Sequence, residues 1–226
     1  QTGGRCGTTA TEYEGLYGPA VSGTQAFFIY RVSTLLAFSL TDWSLNWTRS
    51  LDPSAIGLPR VADGVLYTGG EGLLVALDPA DGSTLWSREF SSQSGDASDD
   101  MERPISSIVA VTPDAIVTLG PDPDADGSGS DRDGLTAFSR ADGSTLWHRA
   151  RRQDGAYRYS IAAAGDALYV AFFDSEVDEY RLLELVTATG ELRDSTTLRV
   201  GTPLEVVVGD GRLYVVGSSG IESRGG

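Results

Sequence analysis

ADGSTLW occupies residues 80–86 and recurs, letter for letter, at residues 141–147. A ligand-binding motif used twice and a structural repeat both predict such a copy, and the flanking sequence separates them. Read backwards, the two stretches become ALDPADGSTLW (76–86) and AFSRADGSTLW (137–147). A third version is AFSLTDWSLNW (37–47), and a worn fourth is ELVTATGELRD (184–194). A short apolar run precedes each, at residues 25–30, 63–68, 114–119 and 166–171; a fifth run, DGRLYVV (210–216), has no tail after it. The repeating unit is a turn, an apolar strand, a turn, a strand ending at Ala, a turn, and a strand carrying Trp.

Aligning Ala26–Trp47 on Val65–Trp86 without a gap sets a period of 39. The identical heptapeptides are 61 apart, 22 more than that period, and the excess divides into two insertions of 11 on either side of Ala115. Insertions that leave the strand pattern intact are loops on a repeat scaffold. Asp-Gly, Gly-Gly and Ser-Gly bound the apolar segments and supply the positive φ that tight hairpins require. The nearest approach to a helical period, EVDEYRLLELV (176–186), coincides with a strand of the other copies. A period near 40 with about four strands per unit predicts an all-β chain, a β-propeller of four-stranded antiparallel blades with about 4.5 repeats visible.

The pattern A-x-D-x-x-D-G-x-x-x-W at 76–86 resembles the tryptophan-docking motif of the quinoprotein (pyrroloquinoline quinone, PQQ) propeller repeats. That resemblance implies a turn linking the third and fourth strands of a blade, and a Trp packed between neighbouring blades. It covers roughly residues 20–217. The third copy has Ser139 in place of Asp78, the first has Ser39 there and Trp43 where Gly82 stands, and the fourth keeps Gly190 but carries Asp194 in place of the Trp. Trp47, Trp86 and Trp147 are thus expected in the core, and Trp43 at a turn. Residues 1–17 form an N-terminal segment, followed by repeats at about 18–57, 58–104, 105–157, 158–202 and 203–226. Either Gly220–Arg224 makes a third strand and residues 13–17 return as the fourth, closing five blades, or the ring is incomplete.

The chain carries 32 acidic and 17 basic residues, a net charge of −15, and every basic residue is Arg. This balance repels nucleic acid and anionic membrane surfaces. It suits a protein kept in concentrated salt, where screening over a few ångströms cancels the self-repulsion, and acidic, Lys-free chains of this type resemble those of halophilic archaea. The single Cys6 allows no internal disulfide, and Arg5 before it argues against a lipid-anchoring cysteine. No apolar stretch reaches the ~18–20 residues of a membrane span, and the absence of an initial Met fits processing or truncation. Asn46 lies in a formal glycosylation sequon beside a docking Trp.

The most specific polar constellation is DPDADGSGSDRD at 122–133. As a twelve-residue calcium loop it offers Asp122, Asp124, Asp126, the Ser128 carbonyl, Ser130 and Asp133 as oxygen ligands, with Gly127 at the turn. Calcium takes six to eight such hard oxygens. A solvated surface loop of an acid-adapted protein has the same composition, and GDASDDM (95–101) lacks ligand spacing altogether. The only His, His148, follows Trp147 on an outer strand, where it is badly placed as a catalytic base. In the quinoprotein dehydrogenases the resemblance implies a quinone in the central channel, in some against a disulfide of adjacent cysteines that a lone Cys6 cannot make. The expectation is a non-catalytic, extracytoplasmic scaffold that binds protein partners, with calcium as candidate cofactor and PQQ disfavoured. Its repeat type resembles that of the propeller lipoprotein of the outer-membrane β-barrel assembly machinery. The alternatives are a quinone-dependent dehydrogenase or its remnant, and a calcium-stabilised surface module.

Overall fold

The computed structural model describes residues 15–31, 33–51, 57–70, 73–89, 107–121, 133–150, 160–174 and 177–225. Blade 1 consists of β1 (Leu16–Ser22), β2 (Gln25–Tyr30), β3 (Thr34–Ser39) and β4 (Leu45–Ser50). Blade 2 follows with β5 (Arg60–Ala62), β6 (Val65–Gly70), β7 (Leu73–Leu77) and β8 (Thr84–Glu89), and blade 3 with β9 (Ser107–Val111), β10 (Ala115–Pro121), β11 (Asp133–Ser139) and β12 (Thr145–Ala150). Blade 4 contains β13 (Ser160–Ala164), β14 (Ala167–Asp174), β15 (Glu179–Val186) and β16 (Leu192–Thr197); blade 5 contains β17 (Pro203–Gly209), β18 (Arg212–Gly217) and β19 (Gly220–Gly225). Every blade is an antiparallel meander in chain order.

The first strands line up in sequence, β1 beside β5, β5 beside β9, β9 beside β13 and β13 beside β17. The five sheets form an open ring. Gly220–Gly225 does make the third strand of the last blade. Leu16 and Tyr17, however, pair with Tyr30 and Ile29 inside blade 1, so they do not supply a fourth strand to blade 5; residues 13 and 14 lie outside the described residues. The physical reason is local: Ser22 and Gln25 close a hairpin across Gly23, φ 55°, and the short connection binds β1 to β2.

Strand alternation gives each blade two apolar faces, a front that meets the next blade and a back that meets the previous one. Phe27, Ile29, Leu35 and Ala37 on the front of blade 1 pack against Leu66, Val75 and Leu77 on the back of blade 2. Tyr67, Leu74 and Ala76 continue onto Ile108, Ile116 and Phe138, and Ala171 and Leu182 of blade 4 onto Val206 and Val215 of blade 5. At ~25 cal/mol per Å2 of buried apolar surface, these seams supply the main driving force for ordering the blades.

The ungapped period of 39 holds from the third strand onward but not in the second. Tyr30 pairs with Thr34 in blade 1, whereas Gly70 pairs with Leu73 in blade 2. The second hairpin is therefore one residue shorter, and Phe27 corresponds to Tyr67, not to Leu66. A shift of one residue moves a strand's side chains to the opposite face, so the shorter connection has to be matched by a shifted strand to keep the front face apolar.

In a four-stranded meander, the connections between second and third strands and those from one blade to the next leave from one end of the blades. The turns between third and fourth strands lie at the other. The two acidic insertions, in 90–106 and 122–132, therefore issue from the same face, opposite the docking turns.

Candidate functional site

Each repeated heptapeptide is a turn with a fixed hydrogen-bond scheme. In blade 2 Gly82 N–H donates to Asp78 O at 2.8 Å, and Asp78 N–H to Ser83 O at 2.9 Å. Blade 3 repeats this with Gly143 to Ser139 (2.9 Å) and Ser139 to Ser144 (2.8 Å), and blade 4 with Gly190 to Val186 (2.8 Å). The Asp of Asp-Gly-Ser accepts the Ser N–H two residues on: Asp81 from Ser83 at 2.8 Å, Asp142 from Ser144 at 3.1 Å. These N–H donors, Ser83 and Ser144, are the largest cause of the lowered pKa of Asp81 and Asp142, while for Asp42 the Ser39 hydroxyl is the largest, followed by Ser44. The glycines sit at φ 71–73°, a region costly for residues with a Cβ.

The glycine also has a steric role. A Cβ on Gly82 would lie 2.9 Å from the Trp47 ring, one on Gly143 2.7 Å from Trp86, and one on Gly190 2.7 Å from Trp147. Each indole thus lies on the turn of the following blade, and its N–H donates to a carbonyl there: Trp47 to Pro79 (3.1 Å), Trp86 to Arg140 (2.9 Å), Trp147 to Thr187 (2.9 Å). The three tryptophans are half-buried, at the rim of the seam cores. The expectation that they lie inside the core is corrected in this respect, because the polar N–H must reach the turn.

Three further residues complete the seams and were not singled out from the sequence. Arg49, two residues after Trp47, donates to Gly82 O and, at 2.6 Å, to Thr84 Oγ1. Arg88, two after Trp86, donates to Gly143 O at 3.0 Å. A Trp-x-Arg spacing, present at 47–49, 86–88 and 147–149, is the signal that could have found them. Arg140 is the third. It stands where blade 2 has Pro79, and its side chain reaches back across the seam to Asp63 Oδ2 (2.8 Å), Tyr67 Oη (3.2 Å) and the carbonyl of Ala62 (3.2 Å). In its own blade it donates to Thr112 O and Pro113 O, both at 3.1 Å.

The docking series has two ends. In blade 1 the glycine position is held by Trp43, at φ 59° and 64% exposed. In blade 4 Asp194 pairs opposite Glu184, where Trp pairs opposite Ala in the preceding blades. The seam between blades 4 and 5 relies on other contacts: Ser160 Oγ accepts Val206 N–H at 2.7 Å, and the Tyr180 and Thr202 hydroxyls are 2.9 Å apart. Beside these strands runs an open groove of about 500 Å3 between β16 and β19, bordered by Thr197, Arg199, Glu222 and Arg224.

Of the calcium candidates, Asp122, Asp124, Asp126, Ser128 and Ser130 lie outside the described residues, as does the side chain of Asp133. The backbone shows that Pro121 pairs with Asp133, so the two ends of the loop meet at the mouth of a hairpin. His148 lies on the outer strand β12, its Nδ1 2.8 Å from Thr136 Oγ1. Among the described residues no cluster of three or more His, Cys, Asp or Glu side chains is placed to hold a metal ion, and no helix is long and apolar enough to cross a membrane.

No curated protein matches the chain in sequence. Solved structures similar to it include BamB from Moraxella catarrhalis, 17% identical, with a TM-score of 0.48 over 91% of this chain and 70% of that one. The quinohemoprotein alcohol dehydrogenase from Comamonas testosteroni is 13% identical, with a TM-score of 0.55 over 94% of this chain and 43% of the dehydrogenase. A europium-containing methanol dehydrogenase is 15% identical, with a TM-score of 0.57 over 93% of this chain and 51% of the other. The chain thus spans about half the length of each dehydrogenase. A family model described as "Outer membrane protein assembly factor BamB" matches residues 31–223. The chain belongs to that family of PQQ-type repeats.

Proposed function

We propose that this member of the BamB-type repeat family is a non-catalytic scaffold that binds protein partners outside the cytoplasm. The observation that carries the reading is the division of labour between the two ends of the blades. The docking turns, with Trp47, Trp86, Trp147, Arg49 and Arg88, hold consecutive blades together at one end. The longest connections leave from the other, the pattern of variable loops positioned by a rigid scaffold. The acidic, Lys-free surface supports working in concentrated salt. Fold alone does not fix function, so the test has two arms. In-cell cross-linking of a tagged chain is predicted to give partner adducts that disappear when residues 93–102 and 122–132 are replaced by short Gly-Ser turns; adducts unchanged by the replacement contradict the reading. Titration with PQQ, with and without calcium, followed by Trp fluorescence and by dye reduction on adding an alcohol, is predicted to be flat. Saturable binding with dye reduction favours a quinone-dependent dehydrogenase instead.

A second reading concerns the 122–133 loop as a calcium site that stiffens this face. Its support is the Asp-x-Asp-x-Asp-Gly spacing together with the closed hairpin at Pro121–Asp133. A metal would draw its oxygens from the loop's Asp and Ser residues.

A further inference from the structure

Asn46 is the only asparagine among 226 residues, and the fold gives it no task. It stands in β4, the outermost strand of blade 1. Ala37 pairs with Trp47 and Phe38 with Leu45, so Asn46 is the extra residue of a β-bulge, without a cross-strand partner. The same bulge holds Leu85 in blade 2, Leu146 in blade 3 and Arg193 in blade 4. Neither the bulge nor the turn before it therefore requires an amide. Asparagine is disfavoured in strands, and where it serves structure its side chain bonds nearby backbone. None of the described residues bonds the Asn46 amide, whereas Arg193 at the equivalent position is paired with Asp166. Thr48, two residues on, also has a hydroxyl that no described residue engages.

The exposure of this position does not depend on what stands beside blade 1. Leu85 and Leu146 belong to blades packed on both sides, and they are still 52% and 42% exposed. Asn46 and Thr48 are exposed likewise. Trp47 and Arg49, by contrast, are anchored, Trp47 donating to Pro79 O at 3.1 Å and Arg49 to Gly82 O. These bonds hold Trp47 and Arg49 on the seam and leave Asn46 on the outer rim, where the space a bulky substituent needs is solvent.

We infer that Asn46 is a site of N-linked glycosylation, with Asn46-Trp47-Thr48 as the acceptor. The inference rests on the extracytoplasmic reading, since the lipid-linked sugar donor is used outside the cytoplasm. In the transfer, Nδ2 of Asn46 forms a bond to the anomeric carbon of a sugar carried on a lipid pyrophosphate. The bond from that carbon to the pyrophosphate oxygen breaks, the lipid pyrophosphate leaves with the electron pair, and the amide gives up one proton. The Thr48 hydroxyl is the group that the transferring enzyme reads two residues on.

The test uses the full-length protein purified from its own cells and cleaved after arginine, which releases residues 32–49 with both acceptor residues. Mass spectrometry is expected to find that peptide carrying sugar units, and enzymatic release of the glycan to leave Asp in place of Asn46. Asn46→Gln and Thr48→Ala should each abolish the modification, whereas Thr48→Ser should retain it. Unchanged melting temperatures of the variants separate loss of the acceptor from loss of fold. A bare wild-type peptide overturns the inference, and so does sugar that survives Asn46→Gln, which would be bound through a hydroxyl. Fractionation of the same cells keeps the two claims apart: a bare Asn46 on an extracytoplasmic protein removes the glycan alone, and a cytoplasmic protein removes the extracytoplasmic reading and the glycan with it.

Discussion

The indole N–H of Trp86 donates to the backbone carbonyl of Arg140, 2.9 Å away in the next blade, and the same ring lies where a Cβ on Gly143 would have to stand. One side chain thus reads both the conformation and the smallness of its neighbour's turn. Arg140 returns the contact, its side chain crossing back to Asp63, Tyr67 and Ala62 of blade 2. The seam between blades 2 and 3 is locked from both sides.

Arg140→Ala should therefore destabilise the fold by about 2–3 kcal/mol, since it removes charge-assisted bonds and strands the carbonyls they served. Arg140→Lys should recover less than half of that loss, because a compact ammonium cannot span five acceptors as a planar guanidinium does. Denaturant melts of the two variants check both statements. Equal stability of Lys and Arg would show that charge alone matters.

Trp43→Gly should stabilise the protein by about 1 kcal/mol. The left-handed backbone at φ 59° is costly for a residue with a Cβ and free for glycine. Trp43→Ala should be near neutral, because Ala keeps that cost and the exposed indole contributes little packing. A shift of the denaturation midpoint in opposite order would contradict the assigned turn conformation.

Stability should fall as the pH drops below about 4. The carboxylates of Asp42, Asp81 and Asp142 have pKa values lowered by the turn N–H and hydroxyl donors. A group whose pKa is lower folded than unfolded stabilises the fold above its unfolded value, and that contribution is lost as pH falls through the folded value. The triple Asn variant keeps the acceptors but does not titrate, so its acid limb should be flatter than the wild type's. Identical acid limbs in melts from pH 6 to pH 2 would remove the turns from the account.

The melting temperature should rise on titrating calcium after a chelator, in concentrated KCl, and Asp124→Ala should abolish the rise. No shift in the wild type would leave the 122–133 loop as a solubilising segment.

The repeat, the fold class and the location of the docking turns were legible in the sequence because ADGSTLW encodes local geometry: Asp for the N–H two residues on, Gly for positive φ, Trp for the seam. The one-residue shift of β6 was not legible. Leu66 and Tyr67 are both apolar, so either can take the front position, and only the shorter connection before Leu73 decides. Arg140 was also hidden. It occupies a position where the other copies carry Leu40, Pro79 or Thr187, and its partners in blade 2 are more than seventy residues away in the chain. The open ring was one of two readings, since strand pattern does not say which edges meet.

The most direct test of tryptophan docking is a double-mutant cycle on Trp86→Ala and Gly143→Ala, read by chemical denaturation. Trp86→Ala alone should cost about 3 kcal/mol. Gly143→Ala alone should cost at least about 2 kcal/mol, from positive φ together with the clash against the ring. If the indole lies on that glycine, the Gly143→Ala loss should shrink by about 1 kcal/mol or more once Trp86 is gone. Strictly additive losses would mean that the two residues act separately, and that the heptapeptide builds a turn without joining the blades.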